Sequence, residues 1–335
     1  MCRQSCSKSP RQARGPQEPA QVAPKCRERF ALGPEHPTSS HQDLPGKHRF
    51  VLEPAVSEYE WKDWIGRSET SNDTLSAGPA NALRATLGLN DGRLQTGCHL
   101  PHPWLWLYFL NPADKSDIGP DGHPKRGGFL PPIPNPRRMW AGSRCSLHAP
   151  LKCGQSARKT SVIKSVTEKA GRSGPITFVT VAHEVCADGV VAYREEQDIV
   201  YMDIPEVFRP PEPQPVPDCS YQEPVSIDPV LLFRFSALTF NGHRIHYDRP
   251  YAMDVEHYPG LVVHGPLQAI MLFDFATRLF PERAPAAFRF RGMRPLFDHD
   301  LVQLNAQPTD SGALDLYTSN GEGAISMKAT LEWAS

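Results

Sequence analysis

The side chains best able to move a proton or orient a water molecule lie close together in the C-terminal half: Asn241, His243, His246 and Asp248. They follow an apolar run, Leu231 to Phe240, and the dipeptide Asn241-Gly242 predicts a chain reversal because both residue types tolerate positive φ. Loops held by rigid neighbours commonly carry catalytic groups. Since the ordinary pKa of histidine allows it to take and give a proton near pH 7, His246 is the predicted general acid–base.

A helix is predicted to begin shortly after this loop, at Gly265-Pro266, and to continue to about Phe280. Apolar residues recur along it, and proline suits the first helical position because its missing N–H would be unpaired there. The first turn offers free N–H groups and the positive end of the helix dipole. We therefore predict that the Gly265 N–H stabilises an oxyanion, in addition to being part of a simple helix entry.

Each of these residues also has a purely structural interpretation. His246 could be a buried structural histidine, and His243 a loop residue that bonds its own backbone. Asp248 could orient an imidazole or serve as a turn carboxylate. Arg137 and Arg138 could bind phosphates of coenzyme A or a substrate carboxylate, since guanidinium matches both, or they could be ordinary surface arginines.

Alternating apolar and polar residues predict antiparallel strands on both sides of a proline-rich segment. In the first half, a helix near Ala80 to Leu89 precedes the strands. In the second half, the strands follow the Gly265 helix. The predicted strands lie near Cys145–Leu151, Lys159–Lys169, Ile176–Val185, Val190–Met202, Ala287–Met293, Leu301–Gln307, Leu314–Thr318 and Ala324–Glu332. We predict two domains, 51–207 and 224–335, joined by an extended linker at 208–223.

Composition restricts the class of protein. Hydrophobic residues make up 39% and charged residues 22% of the 335 residues, which is typical of a globular chain. The formal net charge of −1 gives no general preference for nucleic acid or anionic membranes. The eight cysteines show no CxxC spacing, which favours free thiols over a disulfide framework or a zinc site.

Residues 1–50 are poor in large apolar side chains and rich in proline, so a disordered tail is predicted. Basic residues without acidic ones before Glu18 suggest a mitochondrial presequence, but the prolines there oppose an amphipathic helix. A cytoplasmic location is predicted, with the mitochondrial matrix as the alternative. No run approaches the roughly 20 apolar residues of a membrane span.

The loop and its flanks resemble the MaoC-like hot-dog superfamily, whose hydratase-2 motif has the spacing D-x-N-P-x-H. An ungapped comparison places Asn241 at the family's catalytic Asp, His243 at its Asn and His246 at its catalytic His. From about Glu58 onward the chain resembles the branch containing mesaconyl-C4-CoA and itaconyl-CoA hydratases and the type 2 hydroxyacyl-thioester dehydratases. The segments that carry this wider resemblance are 64–69 (WIGRSE), 128–132 (GFLPP), 137–142 (RRMWAG) and 195–201 (EEQDIVY).

The resemblance implies an α+β double hot-dog, in which each of two curved antiparallel sheets wraps a central helix. It implies reversible hydration of a 2-enoyl thioester by His246, Asn241 and Gly265, without a metal or redox cofactor. Mesaconyl-C4-CoA or itaconyl-CoA is the expected substrate, in a monomer of tandem hot-dogs or a homodimer. The alternatives are a 3-hydroxyacyl dehydratase acting on acyl-carrier-protein substrates, a thioesterase, and a silent acyl-CoA binding protein, since an amide at position 241 cannot ionise.

Overall fold

The computed structural model describes residues 61–90, 92–171 and 174–334, which belong to one compact unit. The predicted tail at 1–50 lies outside these residues, as does the start of the predicted first domain. Within these residues, twelve strands and three α-helices make up the regular structure, together with short 3-10 and π-helical turns. In the part of the chain that the structure describes, no helix is long and apolar enough to cross a membrane.

Ten of the strands form a single antiparallel sheet, and two short ones pair separately. The strands are β1 (Ser68–Thr74), β2 (His99–Leu100), β3 (Arg137–Leu147), β4 (Leu151–Lys152), β5 (Ser156–Gly171), β6 (Gly174–Ala187), β7 (Val190–Met202), β8 (Tyr221–Val225), β9 (Pro285–Gly292), β10 (Val302–Pro308), β11 (Leu314–Ser319) and β12 (Ile325–Trp333). The large sheet has the order β1-β5-β6-β7-β3-β9-β12-β11-β10-β8, and β2 pairs with β4.

Two-residue periodicity explains why the strands form where they do. In β12, Ile325, Met327, Ala329 and Leu331 are all at most 5% exposed, as expected for alternate residues on the core face of a strand. Seven of the eight predicted strands are observed, and β7 has the predicted bounds. The run predicted near Cys145–Leu151 is instead the end of β3 and the start of β4 with a break at 148–150, where Pro150 has no N–H to donate to a ladder. Strands β1, β2 and β8 were not predicted, because Ser68–Thr74 is polar throughout, β2 has only two residues and β8 contains a proline.

The three helices are α1 (Ala77–Thr86), α2 (Pro229–Leu238) and α3 (Gly265–Leu279). Helix α3 packs against β3, β9, β10, β11 and β12, so it lies against one face of the sheet. Nine of its 15 residues are buried, which is the all-round apolar pattern expected of a central helix. Helix α1 instead packs against α2 and the 3-10 turn His102–Leu107, a segment that is mostly core with Trp106 less buried.

The chain reversal after α2 occurs where it was predicted, but for a different reason. The residue with positive φ is Phe240, at 51°, and neither Asn241 nor Gly242 adopts that conformation. The Asn241 N–H donates to the Ser236 carbonyl at 2.8 Å, and the Phe240 N–H donates to that of Ala237 at 3.4 Å. This is a Schellman motif that ends the helix, with a phenylalanine in the position where glycine is usual.

The two halves of the chain share one sheet because β3 and β9 pair across them, from Gly142 opposite Arg291 to Ser146 opposite Ala287. The predicted linker contains no helix or strand up to residue 220 apart from the isolated bridge of Pro215 with Ala324, and its last residues, from Tyr221, belong to β8 at one edge of the sheet. The division into domains at 51–207 and 224–335 stays a prediction.

Candidate active site

A cavity of about 530 Å³ lies between the histidine loop, the start of α3 and strands of both halves. Its wall includes Asn241, His243, His246 and Gly265, which were all predicted site residues. The first half contributes Trp106, His123, Leu130, Arg138, Met139, Trp140, Gln197 and Ile199. The structure therefore brings the predicted residues together in one place, and adds a wall that comes from the other half of the chain.

His246 ends a 3-10 turn, Arg244–His246, and is 7% exposed. Its Nδ1 lies 2.7 Å from the carbonyl oxygen of Val262. Burial, and then the neighbouring His264 and His243, lower the pKa of His246 well below its ordinary value, so the ring is neutral at pH 7. Because a carbonyl only accepts, the proton of the neutral ring sits on Nδ1, and Nε2 keeps its lone pair.

His264 packs flat against His246, with the ring centroids 3.6 Å apart and the planes 18° from parallel. It is fully buried, and its Nε2 lies 2.8 Å from the Ser236 hydroxyl on α2. Burial lowers the pKa of His264 to about 3. The two stacked rings are therefore both uncharged at neutral pH, and His264 fixes the plane of the His246 ring from one side.

Gly265 is the first residue of α3 and lines the cavity. The N–H groups of the first helical turn have no acceptor within the helix, and the helix dipole places partial positive charge there. A β-carbon at this position would lie 3.7 Å from the Trp140 carbonyl oxygen, so the backbone is close to the opposite wall. The predicted oxyanion position thus faces the same space as His246.

Asn241 lines the cavity, but its side chain also has a structural partner. Its Oδ1 accepts a hydrogen bond from the His243 N–H at 3.0 Å, which forms an Asx turn. This bond holds the loop that leads to His246. The amide carbonyl at position 241 is therefore engaged with the backbone and cannot take up a proton.

His243 belongs to a buried ionic network that joins the two halves. Its Nε2 lies 3.1 Å from one oxygen of Glu256, and Arg137 donates from Nε to the other oxygen at 2.9 Å. Arg137 Nη2 also donates to the Glu256 carbonyl at 2.8 Å. Burial acts against the charge of Glu256, but its hydrogen bonds and charge contacts to His243 and Arg137 hold its pKa below the ordinary value.

The two adjacent arginines have different environments. Arg137 is 4% exposed, and Glu256 engages its guanidinium, so the structure does not place it where it could contact a substrate. Arg138 lines the cavity and lies close enough to lower the pKa of His123. Of the two arginines that the sequence suggested for anion binding, Arg138 is the one that lines the cavity and could contact an anionic group of a substrate.

Asp248 does not contact His246. It pairs with Arg244 at 2.7 Å, four residues earlier, and accepts a hydrogen bond from the Tyr251 N–H at 3.2 Å. The second bond caps the π-helical turn Tyr251–Val255. The Asp248 carboxylate therefore stabilises a turn, as in the second interpretation of the sequence, and the Val262 carbonyl orients the His246 ring.

Sequence reasoning did not identify His123, which the irregular segment between Lys115 and Pro136 brings to the cavity. Its Nδ1 lies 3.0 Å from Asp121 Oδ2, and its ring centroid lies 4.2 Å from that of His243. The only sequence signal is the D-G-H triplet at 121–123. Asp121, His123 and His243 place metal-ligand atoms within 4.8 Å of one another, but Asp121 already accepts a hydrogen bond from one of the two rings.

Comparison with protein families gives a match between residues 103–298 and the family model for hydroxyacyl-thioester dehydratase type 2. The match covers more than half of the chain and includes the whole histidine loop. Among curated proteins, the chain is 46% identical to a mesaconyl-C4-CoA hydratase from Chloroflexus aurantiacus over 279 residues. That alignment covers 83% of this chain and 99% of the relative.

Solved structures confirm the fold. A MaoC-like dehydratase from Phytophthora capsici superimposes with a TM-score of 0.60 at 13% identity, covering 82% of this chain and 97% of that one. A double hot-dog protein from Mycobacterium tuberculosis superimposes with a TM-score of 0.50 at 13% identity, covering 80% and 96% respectively. The predicted α+β double hot-dog is therefore confirmed.

Proposed function

Since this chain belongs to the hydroxyacyl-thioester dehydratase type 2 family and is a hydro-lyase of enoyl thioesters, we propose that it hydrates a short dicarboxylic 2-enoyl-CoA. Mesaconyl-C4-CoA is the first candidate and itaconyl-CoA the second. One observation supports this proposal above the others. It is the neutral His246 ring, whose Nδ1 is bonded to the Val262 carbonyl, lining the same cavity as the start of α3.

The mechanism follows from that ring. A water molecule donates a hydrogen bond to His246 Nε2, which takes the proton while the water oxygen forms a bond to Cβ of the substrate. The π-electron pair of the double bond moves toward the thioester oxygen. The imidazolium then returns its proton to Cα, which restores the neutral ring and gives the 3-hydroxyacyl thioester.

Negative charge on the thioester oxygen is greatest between these two steps. The Gly265 N–H supplies a donor at that point, since Pro266 has no N–H and the Gln268 N–H already donates to the His264 carbonyl. It is fixed by the helix, so it needs little reorganisation as the charge develops. Loss of one such donor typically costs about 10²–10³-fold in kcat.

Arg138 supports a substrate with a second carboxylate. Arg138 lines the cavity, and a guanidinium can form two parallel hydrogen bonds to a carboxylate. We expect Arg138→Gln to raise KM for mesaconyl-C4-CoA at least 10-fold, and to leave KM for crotonyl-CoA, which lacks that carboxylate, within about 2-fold. Steady-state kinetics on both substrates tests this, and equal effects on the two would contradict it.

The decisive experiment compares wild type and His246→Ala on mesaconyl-C4-CoA, itaconyl-CoA and crotonyl-CoA, with enoyl absorbance and product mass recorded together. We expect loss of absorbance with a gain of one water, and a fall in kcat of about 10²–10⁴-fold in the variant. Release of free coenzyme A would instead indicate a thioesterase. Substrate binding without conversion would indicate a silent acyl-CoA binding protein. Conversion of acyl-carrier-protein substrates, but of none of these CoA esters, would indicate a 3-hydroxyacyl-acyl-carrier-protein dehydratase.

A further inference from the structure

A second acceptor for the attacking water is the group that the proposed reaction still lacks. A water molecule has two hydrogens, and fixing both directs an oxygen lone pair toward Cβ. His246 Nε2 takes one of them. At position 241, where the family motif has an ionisable Asp, this chain has an amide whose oxygen already accepts from the His243 N–H.

Among the described residues, the cavity wall offers these ionisable side chains: His123, Arg138, His243, His246, Tyr258 and Arg294. The arginines stay protonated and can only donate. Burial raises the pKa of Tyr258 to about 12, so the phenol keeps its proton. Two imidazoles remain besides His246.

His243 is the less available of the two. It is 4% exposed, and its Nε2 faces the buried pair formed by Glu256 and Arg137. Its ring centroid lies 4.2 Å from that of His123 and 5.5 Å from that of His246. This environment suits a residue that holds its neighbours in place.

His123 has the arrangement of an oriented acceptor. Its side chain keeps 18% of its surface accessible, and Asp121 Oδ2 lies 3.0 Å from Nδ1. The other Asp121 oxygen accepts a hydrogen bond from the backbone N–H of His123 at 3.0 Å, so both carboxylate oxygens are held in place. Burial lowers the pKa of His123 to about 4, so the ring is neutral. The Asp121 carboxylate accepts a hydrogen bond from Nδ1–H, which places the proton of the neutral ring on Nδ1. The Nε2 lone pair is then free, with no hydrogen-bond partner among the described residues.

The chain packs this segment tightly onto the histidine loop. The Arg244 N–H donates to the Asp121 carbonyl at 2.9 Å, and Arg244 Nη1 donates to the Pro120 carbonyl at 3.0 Å. A β-carbon on Gly122 would lie 1.8 Å from the Gly242 carbonyl oxygen, and one on Gly242 would lie 2.4 Å from that of Gly122. Both glycines are therefore needed for the close approach that places His123 beside His243.

We propose that His123, oriented by Asp121, is a catalytic residue that accepts the second hydrogen of the water molecule attacking Cβ. The inference rests on the proposed function. No proton ends on His123. His246 takes the transferred proton and returns it to Cα, while His123 Nε2 accepts a hydrogen bond from the water and, in the reverse direction, from the 3-hydroxyl group of the product.

Kinetics of His123→Gly test the proposal, with the exposed His299→Asn as the matched control. We expect kcat to fall at least 10²-fold with KM changed by less than 3-fold, and millimolar imidazole in the assay to restore at least a tenth of the lost kcat. A merely structural histidine would not respond to added imidazole. The proposal is overturned if the folded variant keeps kcat within 3-fold of wild type, if the loss lies in KM, or if imidazole restores nothing.

The glycine contact gives an independent test that keeps both His123 and Asp121. Gly122 and Gly127 have the same backbone conformation, with φ of 88° and 89°, but a β-carbon on Gly127 meets only Pro132 Cβ at 3.7 Å. We expect Gly122→Ala to lower kcat at least 10-fold more than Gly127→Ala, and equal effects would contradict the proposal. If wild type hydrates no enoyl thioester, the proposed function fails. If it does so through His246 but not through His123, this inference alone fails.

Discussion

The buried pair between Arg137 and Glu256 gives the sharpest prediction about stability. The side chains are 5% and 2% exposed, and the arginine makes two hydrogen bonds, at 2.9 and 2.8 Å. Arg137→Met leaves the Glu256 carboxylate buried, with the His243 ring as its remaining hydrogen-bond partner. Removing one member of such a pair typically costs about 3–5 kcal/mol. Because His243 still bonds the carboxylate, we expect about 3 kcal/mol, or a fall in Tm of about 5 °C for a compact unit of this length.

Thermal and urea unfolding of purified variants measure this effect, and an exposed arginine on the same strand provides the control. Arg144 pairs with Asp198 at 2.6 Å, but its side chain is 46% exposed, so Arg144→Met should cost less than about 1 kcal/mol. The double variant Arg137→Met, Glu256→Leu removes both charges and should recover at least half of the loss. If Arg137→Met costs no more than Arg144→Met, the reasoning from burial is wrong.

Two further predictions concern pH and the end of α2. His123, His246 and His264 all have a pKa below the ordinary 6.5. The unfolded chain therefore binds protons that the native state does not, and stability is lost as pH falls below 6.5, by up to about 1.4 kcal/mol per pH unit for each ring. Urea unfolding between pH 8 and 5 should show a plateau above pH 7 and a decline below 6.5, and a flat profile would contradict the assignment of neutral rings. Phe240 has φ of 51° and is 60% exposed, so Phe240→Gly should stabilise the protein by about 1 kcal/mol, and a loss of stability in urea unfolding would mean that the side chain has a packing role.

Periodicity was sufficient to predict most of the fold. Helix α3 was placed within one residue of its observed end because its apolar residues and its Gly-Pro start are local signals. Strand β7 was placed at its observed bounds for the same reason. Strand β1 was not found because it is polar on both faces and pairs only with β5 at the edge of the sheet, so tertiary pairing decides its structure.

The candidate site was predictable only where it is continuous in sequence. His246 and Gly265 were found because loop and helix signals lie next to each other in the chain. His123 is separated from His246 by more than a hundred residues, and its contact with the histidine loop depends on Gly122 meeting Gly242. Arg137 looked like a ligand for anions because a sequence does not show that Glu256 is its partner.

The two hot-dog units are joined covalently because they belong to one chain, and the pairing of β3 with β9 also joins them through one sheet. In a symmetric homodimer of single units, every substitution enters both copies at once, so a residue cannot be lost from one site without being lost from the other. In this chain the two units vary separately. The first can present an irregular segment with His123 to the cavity, while the second keeps the histidine loop. Tandem fusion thus allows one unit to supply the partner wall of the candidate site that the other unit carries.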